Sequence, residues 1–299
     1  MTSTDTSHDA NVRGAFFMVV AMAAFSVEDM LVKAITQTLP IAQILIMLGM
    51  LGMLFFMLCA TVRKERVFHP AIKERALIFR STCEIAARLF FTLALATTSL
   101  SSTSAILQAT PLVVMVGAVF FFNEKVGYRR WLAAIIGFVG VLLIIRPGAE
   151  SFEPASLFAV LATLGFAGRD LGTRAAPDGL SSVQLGVYGF LMLLIAGLVA
   201  WAGNAQWNPL TLMQALHLLL IAVVGVVAYL ALTSAMRCGE IALVSPFRYT
   251  RLLFALLLGA LVFSEVPDFL MLLGCVLIVA SGIFSLRRGA KRTPQAETS

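Results

Sequence analysis

SAILQATPLVVMVGAVFFFNE (residues 104–124) and ALVSPFRYTRLLFALLLGALVFSE (residues 242–265) render one pattern twice. Each is an apolar segment interrupted early by a proline, Pro111 or Pro246, then a Phe-containing run, then a single acid, Glu124 or Glu265. A span rich in small residues follows each copy and ends on a basic or glycine-bearing stretch, so the likeness reaches Gly148 in the first copy and Gly289 in the second. The two acids stand 141 residues apart, about half of the apolar part of the chain.

The rest of the chain is made of the same material. Of 299 residues 60% are hydrophobic and 13% charged, with mean hydropathy +0.93, whereas a soluble domain carries about 45–50% apolar and roughly 25% charged residues. A membrane span takes about 20 predominantly apolar residues. Ten such stretches are present, near 13–35, 41–62, 76–98, 102–122, 129–146, 154–175, 181–201, 211–235, 241–263 and 267–286. The expected fold class is therefore all-α integral membrane, ten transmembrane helices in two five-helix repeats, residues 1–150 and 151–299 with a basic tail. The connections are too short for a soluble domain, so one membrane domain is expected. Five is odd, so the second copy enters the bilayer from the opposite side, which makes the repeat an inverted one.

Charge orients the spans. With the N-terminus in the cytoplasm, the inner side receives Arg13, the group from Arg63 to Arg75, the group from Lys125 to Arg130, Arg174, Arg237 and the group from Arg287 to Arg292, against only Lys33 and Arg146 outside. This is the positive-inside pattern, and it predicts a multi-pass bacterial-type inner-membrane protein with both termini cytoplasmic. Trp131 and Tyr128 suit the inner headgroup layer, Trp201 and Trp207 the outer one.

Several function classes drop out. The pI of about 9.5 reflects basic residues at span ends rather than a phosphate-tracking face, so no nucleic acid is expected as a partner. Cys59, Cys83, Cys238 and Cys275 fall in separate segments without metal or redox spacing, and His8, His69 and His217 are scattered, so neither a metal nor a cofactor is expected. No G-x-x-x-x-G-K-[ST] loop exists for direct ATP drive, and no G-x-S-x-G or paired intramembrane Asp motif for an enzyme. A channel is disfavoured by the lack of a filter-like loop. Ala21-Met22-Ala23 resembles a cleavage site, but its apolar segment exceeds a signal-peptide core of about 7–15 residues and is expected to be retained.

Ala109-Thr110-Pro111, the run Phe120 to Glu124, the span from Trp131 to Pro147 with Gly137 and Gly140, and Ser245-Pro246-Phe247-Arg248-Tyr249-Thr250 ahead of Glu265 together carry a resemblance. Over nearly its whole length the chain resembles the drug/metabolite transporter superfamily, its EamA-type two-repeat members, and within them the YddG-type exporters of amino acids. The resemblance implies a central cavity between the repeats and alternating access, with helices one, three, four, six, eight and nine around the cavity and helices five and ten peripheral. A monomer is the working expectation.

Charges at bilayer depth face a bundle interior or a water-filled path. In the first span Glu28 and Asp29 precede Lys33, which is placed to pair with Asp29 at i,i+4; a gating or proton-coupling role is the other reading of the two acids. In the third span Arg80, Glu84 and Arg88 stack on one face at four-residue steps. Arg80 is expected to snorkel to the inner headgroups, while Arg88 stands open between pairing with Glu84 and contact with substrate. The sixth span offers Arg169 and Asp170 beside a Gly165, Gly168, Gly172 stripe that reads as a packing face. The ninth brings Arg248 and Arg251 after Pro246; Pro111 and Pro246 are expected kinks.

Glu84, Arg88, Gln108, Arg169, Tyr229, Arg248 and Tyr249 are thus the expected substrate or cavity residues, with Glu28, Asp29 and Asp170 for gating or coupling. Basic excess toward the cytoplasm would attract carboxylate-bearing metabolites. The expected function is secondary export of amino acids and related small metabolites by alternating access. Import or exchange of S-adenosylmethionine or another metabolite is the alternative transporter reading.

Overall fold

The computed structural model describes residues 3–65, 67, 74–122, 127–146, 153–175, 181–203, 205–237 and 245–290. Glu124, Cys238, His69 and Pro147 lie outside them. Within these residues the chain is helical: α1 (Ser3–Ile35), α2 (Ile41–Val62), α3 (Arg75–Thr97), α4 (Leu100–Leu107), α5 (Thr110–Phe122), α6 (Tyr128–Ile145), α7 (Ser156–Arg174), α8 (Ser182–Gly203), α9 (Leu212–Arg237), a 3-10 segment (Ser245–Tyr249), α10 (Thr250–Phe263) and α11 (Phe269–Ala290).

The fourth expected span is two helices, α4 and α5, that meet at Gln108 and Ala109. Pro111 lacks an N–H and is placed in the first turn of α5, where no intrahelical donor is needed. The Ala109 carbonyl accepts from both Leu112 N and Val113 N, and Thr110 Oγ1 donates to Leu107 O at 2.6 Å, so the break is bonded across. The ninth span opens in the same way, with Pro246 in the 3-10 segment and the α-helix starting at Thr250. Both repeats therefore carry a proline-associated interruption in their fourth span.

Among the described residues, five helical passes are long and apolar enough to cross a membrane by length and composition: Val12–Ile35, Ile41–Val62, Leu100–Phe121, Val183–Gly203 and Leu212–Ala235; Trp131–Ile145 and Phe269–Ser281 are shorter apolar helices. The others differ for identifiable reasons. α3 and α7 carry the charges Arg80, Glu84, Arg88, Arg169 and Asp170, and α10 is cut to 14 residues by the 3-10 segment before it. Outward faces of the bundle are apolar, with Leu54, Leu58, Phe120, Leu212, Leu253 and Leu261 all exposed, as a bilayer solvent requires.

The halves interlock with two-fold logic. α2 packs on α8 and α6 on α11, second with second and fifth with fifth; α3 packs on α7 and α1 on α9, a pair that exchange under repeat swapping. The α2/α8 seam runs antiparallel: a Cβ on Gly49 would meet Leu194 N at 2.5 Å, while one on Gly197 would meet Ile46 N at 2.6 Å. At the α6/α11 seam Gly140 and Gly274 abut so closely that a Cβ on either would lie within 2.8 Å of the other's carbonyl oxygen. Equivalent helices of the two halves thus run in opposite directions, as an inverted repeat demands.

The α3/α7 seam uses the predicted glycine stripe. Cβ atoms at Gly165, Gly168 and Gly172 would strike Ala87, Cys83 and Arg80 at 2.9, 2.7 and 2.9 Å. Small residues let the helix backbones approach where lipid offers no hydrophobic drive between helices. The main core joins both halves through Ile44, Leu45, Leu48 and Phe56 of α2 and Val187, Phe190 and Leu193 of α8.

Candidate functional site

Between the halves lies a cavity of about 450 Å³. Its wall draws on α1, α2, α3, the α4/α5 break, α7, α8, α9 and the start of the ninth span, with no residue from α6 or α11 among the described residues. The fifth and tenth spans are thus peripheral, and the second and seventh spans join the expected lining through Ile44, Leu45, Leu48, Leu185, Gly189 and Leu193. α2 and α8 close one side as an apolar wall.

The charged wall starts from α3. Glu84, with a side chain only 3% exposed, lies 3.2 Å from Arg80 Nη2, 3.5 Å from Arg88 Nε and 3.7 Å from Arg169 Nη1. Four-residue spacing puts the first two arginines on its own helix face, and the close α3/α7 contact through the glycine stripe brings the third. Arg169 also donates to Asp170 Oδ1 from Nη2 at 2.8 Å and from Nε at 3.0 Å. Arg88 and Arg169 lie over the Phe166 ring, at 6.0 and 4.9 Å from its centroid. Glu84 and Asp170 thus offset two of the three guanidinium charges on this wall.

Two expectations need correction here. Arg80 does not snorkel: it is 6% exposed, and besides facing Glu84 its Nε donates to Thr173 Oγ1 at 2.9 Å. Contact across the helix seam holds the guanidinium inside the bundle. Asp29 does not pair with Lys33; it accepts from Arg251 Nη2 at 2.6 Å and Nε at 3.1 Å. The Arg251 guanidinium also lies over the rings of Phe25 and Phe91, and its carbonyl receives Ser26 Oγ. Because α10 packs beside α1, a cation from the other half reaches Asp29, and Lys33 is engaged elsewhere.

The remaining expected residues also face this cavity. Gln108 Nε2 donates to Arg248 O at 3.2 Å, tying the α4/α5 break to the 3-10 segment. Tyr229 stacks edge-on to Phe56 at 5.3 Å. Tyr249 is 5% exposed and its Oη has no hydrogen-bond partner among the described residues. Pro111 lines the cavity as well. Among the described residues, neither Glu28 nor the Arg248 side chain makes an ion pair or hydrogen bond, and both face the cavity. Sequence reading missed the hydroxyls of Thr92, Thr110, Thr173 and Thr233; Thr92 continues the Arg80, Glu84, Arg88 stripe by one more step of four, a signal that was available. Among the described residues no group of three or more His, Cys, Asp or Glu is arranged to hold a metal.

An all-helical, inverted two-repeat membrane bundle with a charged cavity between its halves defines a small-molecule transporter. A model of the EamA-like transporter family matches the chain twice, over residues 12–146 and 154–287, and the chain belongs to that family. An S-adenosylmethionine uptake transporter of Rickettsia bellii is 27% identical over 75% of this chain and 74% of its own length. A riboflavin transporter of Vibrio cholerae is 32% identical over 63% of each chain. The pseudopaline exporter CntI of Pseudomonas aeruginosa is 28% identical over 90% of this chain and 94% of its own. One solved crystal structure superposes with a TM-score of 0.61 over 93% of this chain and 98% of the other; at 14% identity this is a likeness of fold alone. These relatives are transporters, not enzymes, and they differ in substrate and direction.

Proposed function

We propose that the chain exports amino acids and related zwitterionic metabolites from the cytoplasm by alternating access, its halves, residues 1–150 and 151–299, rocking about the cavity. The observation that carries this reading is that Glu28 and Arg248, of opposite charge, face one cavity and make no ion pair or hydrogen bond among the described residues, while the other charged groups of its wall pair with one another. A substrate with both an ammonium and a carboxylate satisfies both, and leaving either charge unmatched in a low-dielectric cavity is costly. Five arginines against four carboxylates in the wall favour the carboxylate end as the stronger anchor. Phe25, Phe91 and Phe166, with Tyr229, offer apolar surface to a side chain.

In this reading Glu84 positions Arg80, Arg88 and Arg169, Gln108 and Tyr249 hydrogen-bond the substrate, and Glu28, Asp29 and Asp170 belong to gating or coupling. The protein works as a monomer in a bacterial-type inner membrane, termini in the cytoplasm. Counterflow in proteoliposomes with a panel of radiolabelled amino acids tests it; absence of exchange for every amino acid and related amine overturns it.

A second reading is uptake or exchange of S-adenosylmethionine, favoured by the similarity to the Rickettsia transporters. Its α-amino-acid head would occupy the same two charges. Thermal stabilisation by S-adenosylmethionine but by no simple amino acid selects this alternative.

A further inference from the structure

A second cavity of about 290 Å³ lies toward the end of the bundle where α3 leads into α4 and α10 into α11; its wall includes Ser101, Ser102, Arg146, Glu265 and Asp268. The central cavity ends toward it at Val32 and Leu95. Lys33 lies between them. Its Nζ donates to the carbonyls of Leu95, a central-cavity residue, and Thr98, near the C-terminal end of α3, where a cation is favoured by the helix dipole. The same nitrogen is 4.0 Å from Glu265 Oε1 and 5.3 Å from the centroid of the Phe263 ring.

Glu265 is held independently of that lysine. Its Oε1 accepts from Leu100 N at 2.7 Å, and its Oε2 from Ser101 N at 2.9 Å and Ser101 Oγ at 2.6 Å, so a carboxylate from the second repeat closes the first turn of α4 in the first. Gly259 leaves it room, since a Cβ there would come within 2.5 Å of Oε2. With three donors already on its carboxylate, Glu265 does not depend on Lys33, whose ammonium is free to turn without stranding a bare acid.

We propose that the two cavities are successive stations on one substrate route, that Lys33 and Glu265 form the septum between them, and that Lys33 takes the substrate carboxylate as the septum parts. This rests on the zwitterion reading above. Cations then mark the route: Arg248 in the central cavity, Lys33 at the divide and Arg146, paired with Asp268, in the second cavity, whose wall also carries the acids Glu153 and Glu265. Because Lys33 belongs to the first repeat and Glu265 to the second, rocking of the halves pulls the septum apart.

The test separates binding, flux and access. Lys33→Met should bind an amino acid in the central cavity within about twofold of wild type while net flux falls about tenfold, and Lys33→Arg should keep most of the flux. Flux at the wild-type rate in Lys33→Met, or equal loss of binding and flux, overturns the proposal. Access is read without substrate: in a background lacking the native cysteines, Leu95→Cys is labelled by a membrane-impermeant thiol reagent applied from the second-cavity side. Lys33→Met, or Glu265→Gln if the first variant does not fold, should raise that labelling rate about fivefold or more through loss of one charged closing contact; an unchanged rate overturns the septum. If wild type binds no amino acid, the zwitterion reading fails, and the labelling experiment still decides the septum.

Discussion

Shifting the first repeat by the 141 residues that separate Glu124 from Glu265 sets Asp29 on Asp170, Glu28 on Arg169, Glu84 on Gly225, Arg88 on Tyr229, Gln108 on Tyr249 and Thr110 on Arg251. The backbones obey this correspondence and the charges do not. In the α3/α7 seam Arg169 finds Glu84 at 3.7 Å; in the equivalent α1/α9 seam Glu28 faces Gly225, where a Cβ would meet its Oε1 at 2.8 Å. One seam thus closes an ion pair and the other leaves an acid open to the cavity. Likewise Asp29 has Arg251 across from it, whereas its counterpart Asp170 has Thr110 at the equivalent place and bonds Arg169 instead. The scaffold is symmetric and the charges on it are not, so the cavity has a direction in which a polar substrate can lie.

The comparison can be broken most forcefully at Glu84. Glu84→Gln leaves one buried and two partly buried guanidiniums without their common carboxylate and should cost about 3–5 kcal/mol, read as loss of monodisperse protein or a large drop in thermal midpoint. The two symmetry-related aspartates come next. Asp29→Asn, which strips Arg251 of its charged partner, should cost about 1.5–3 kcal/mol, and Asp170→Asn less, about 1 kcal/mol, because Arg169 keeps Glu84; equal losses would mean that the repeats are equivalent after all. Glu28→Gln sharpens the point from the other side. With no ion pair or hydrogen bond among the described residues to lose, its melting should stay within about 0.5 kcal/mol of wild type, while substrate affinity falls about tenfold.

The smallest effect is expected at the loop before α11. Asp268 bonds Arg146 across the halves and accepts from Met271 N at 2.9 Å, contacts that hold its carboxyl below the usual range. A lowered carboxyl stabilises the fold fully above its unfolded value of about 3.9 and loses that contribution as pH falls through the lowered value. Its side chain is half exposed, so Asp268→Asn should cost no more than about 1 kcal/mol near neutral pH, and in thermal melts the difference from wild type should begin to shrink below about pH 4 and vanish only below the lowered value.

Much of the fold was legible because lipid imposes it. Apolar runs, two proline-broken copies and an odd number of spans lead to the inverted bundle without reference to contacts. The glycine stripe of α7 was legible for the same reason, since spacing alone puts Gly165, Gly168 and Gly172 on one face. Glu84 and Arg88 were legible as neighbours by their four-residue step. Asp29 was misassigned to Lys33 by the same rule, because periodicity identifies partners within a helix and is blind to Arg251, 222 residues away. Arg80 failed similarly: its position near a helix end says nothing of Thr173 across the seam.

By itself, then, the chain's sequence determined the solvent it folds in, the number of its passes, their pairing into two copies and the opposed sense of those copies, all consequences of hydropathy and counting. Only the tertiary structure decided which charges are spent on each other and which remain for a ligand. Partners from opposite halves meet through close helix contact, and whether an arginine, a threonine or a glycine stands opposite an acid depends on helix rotation and register across a seam, which no local spacing encodes.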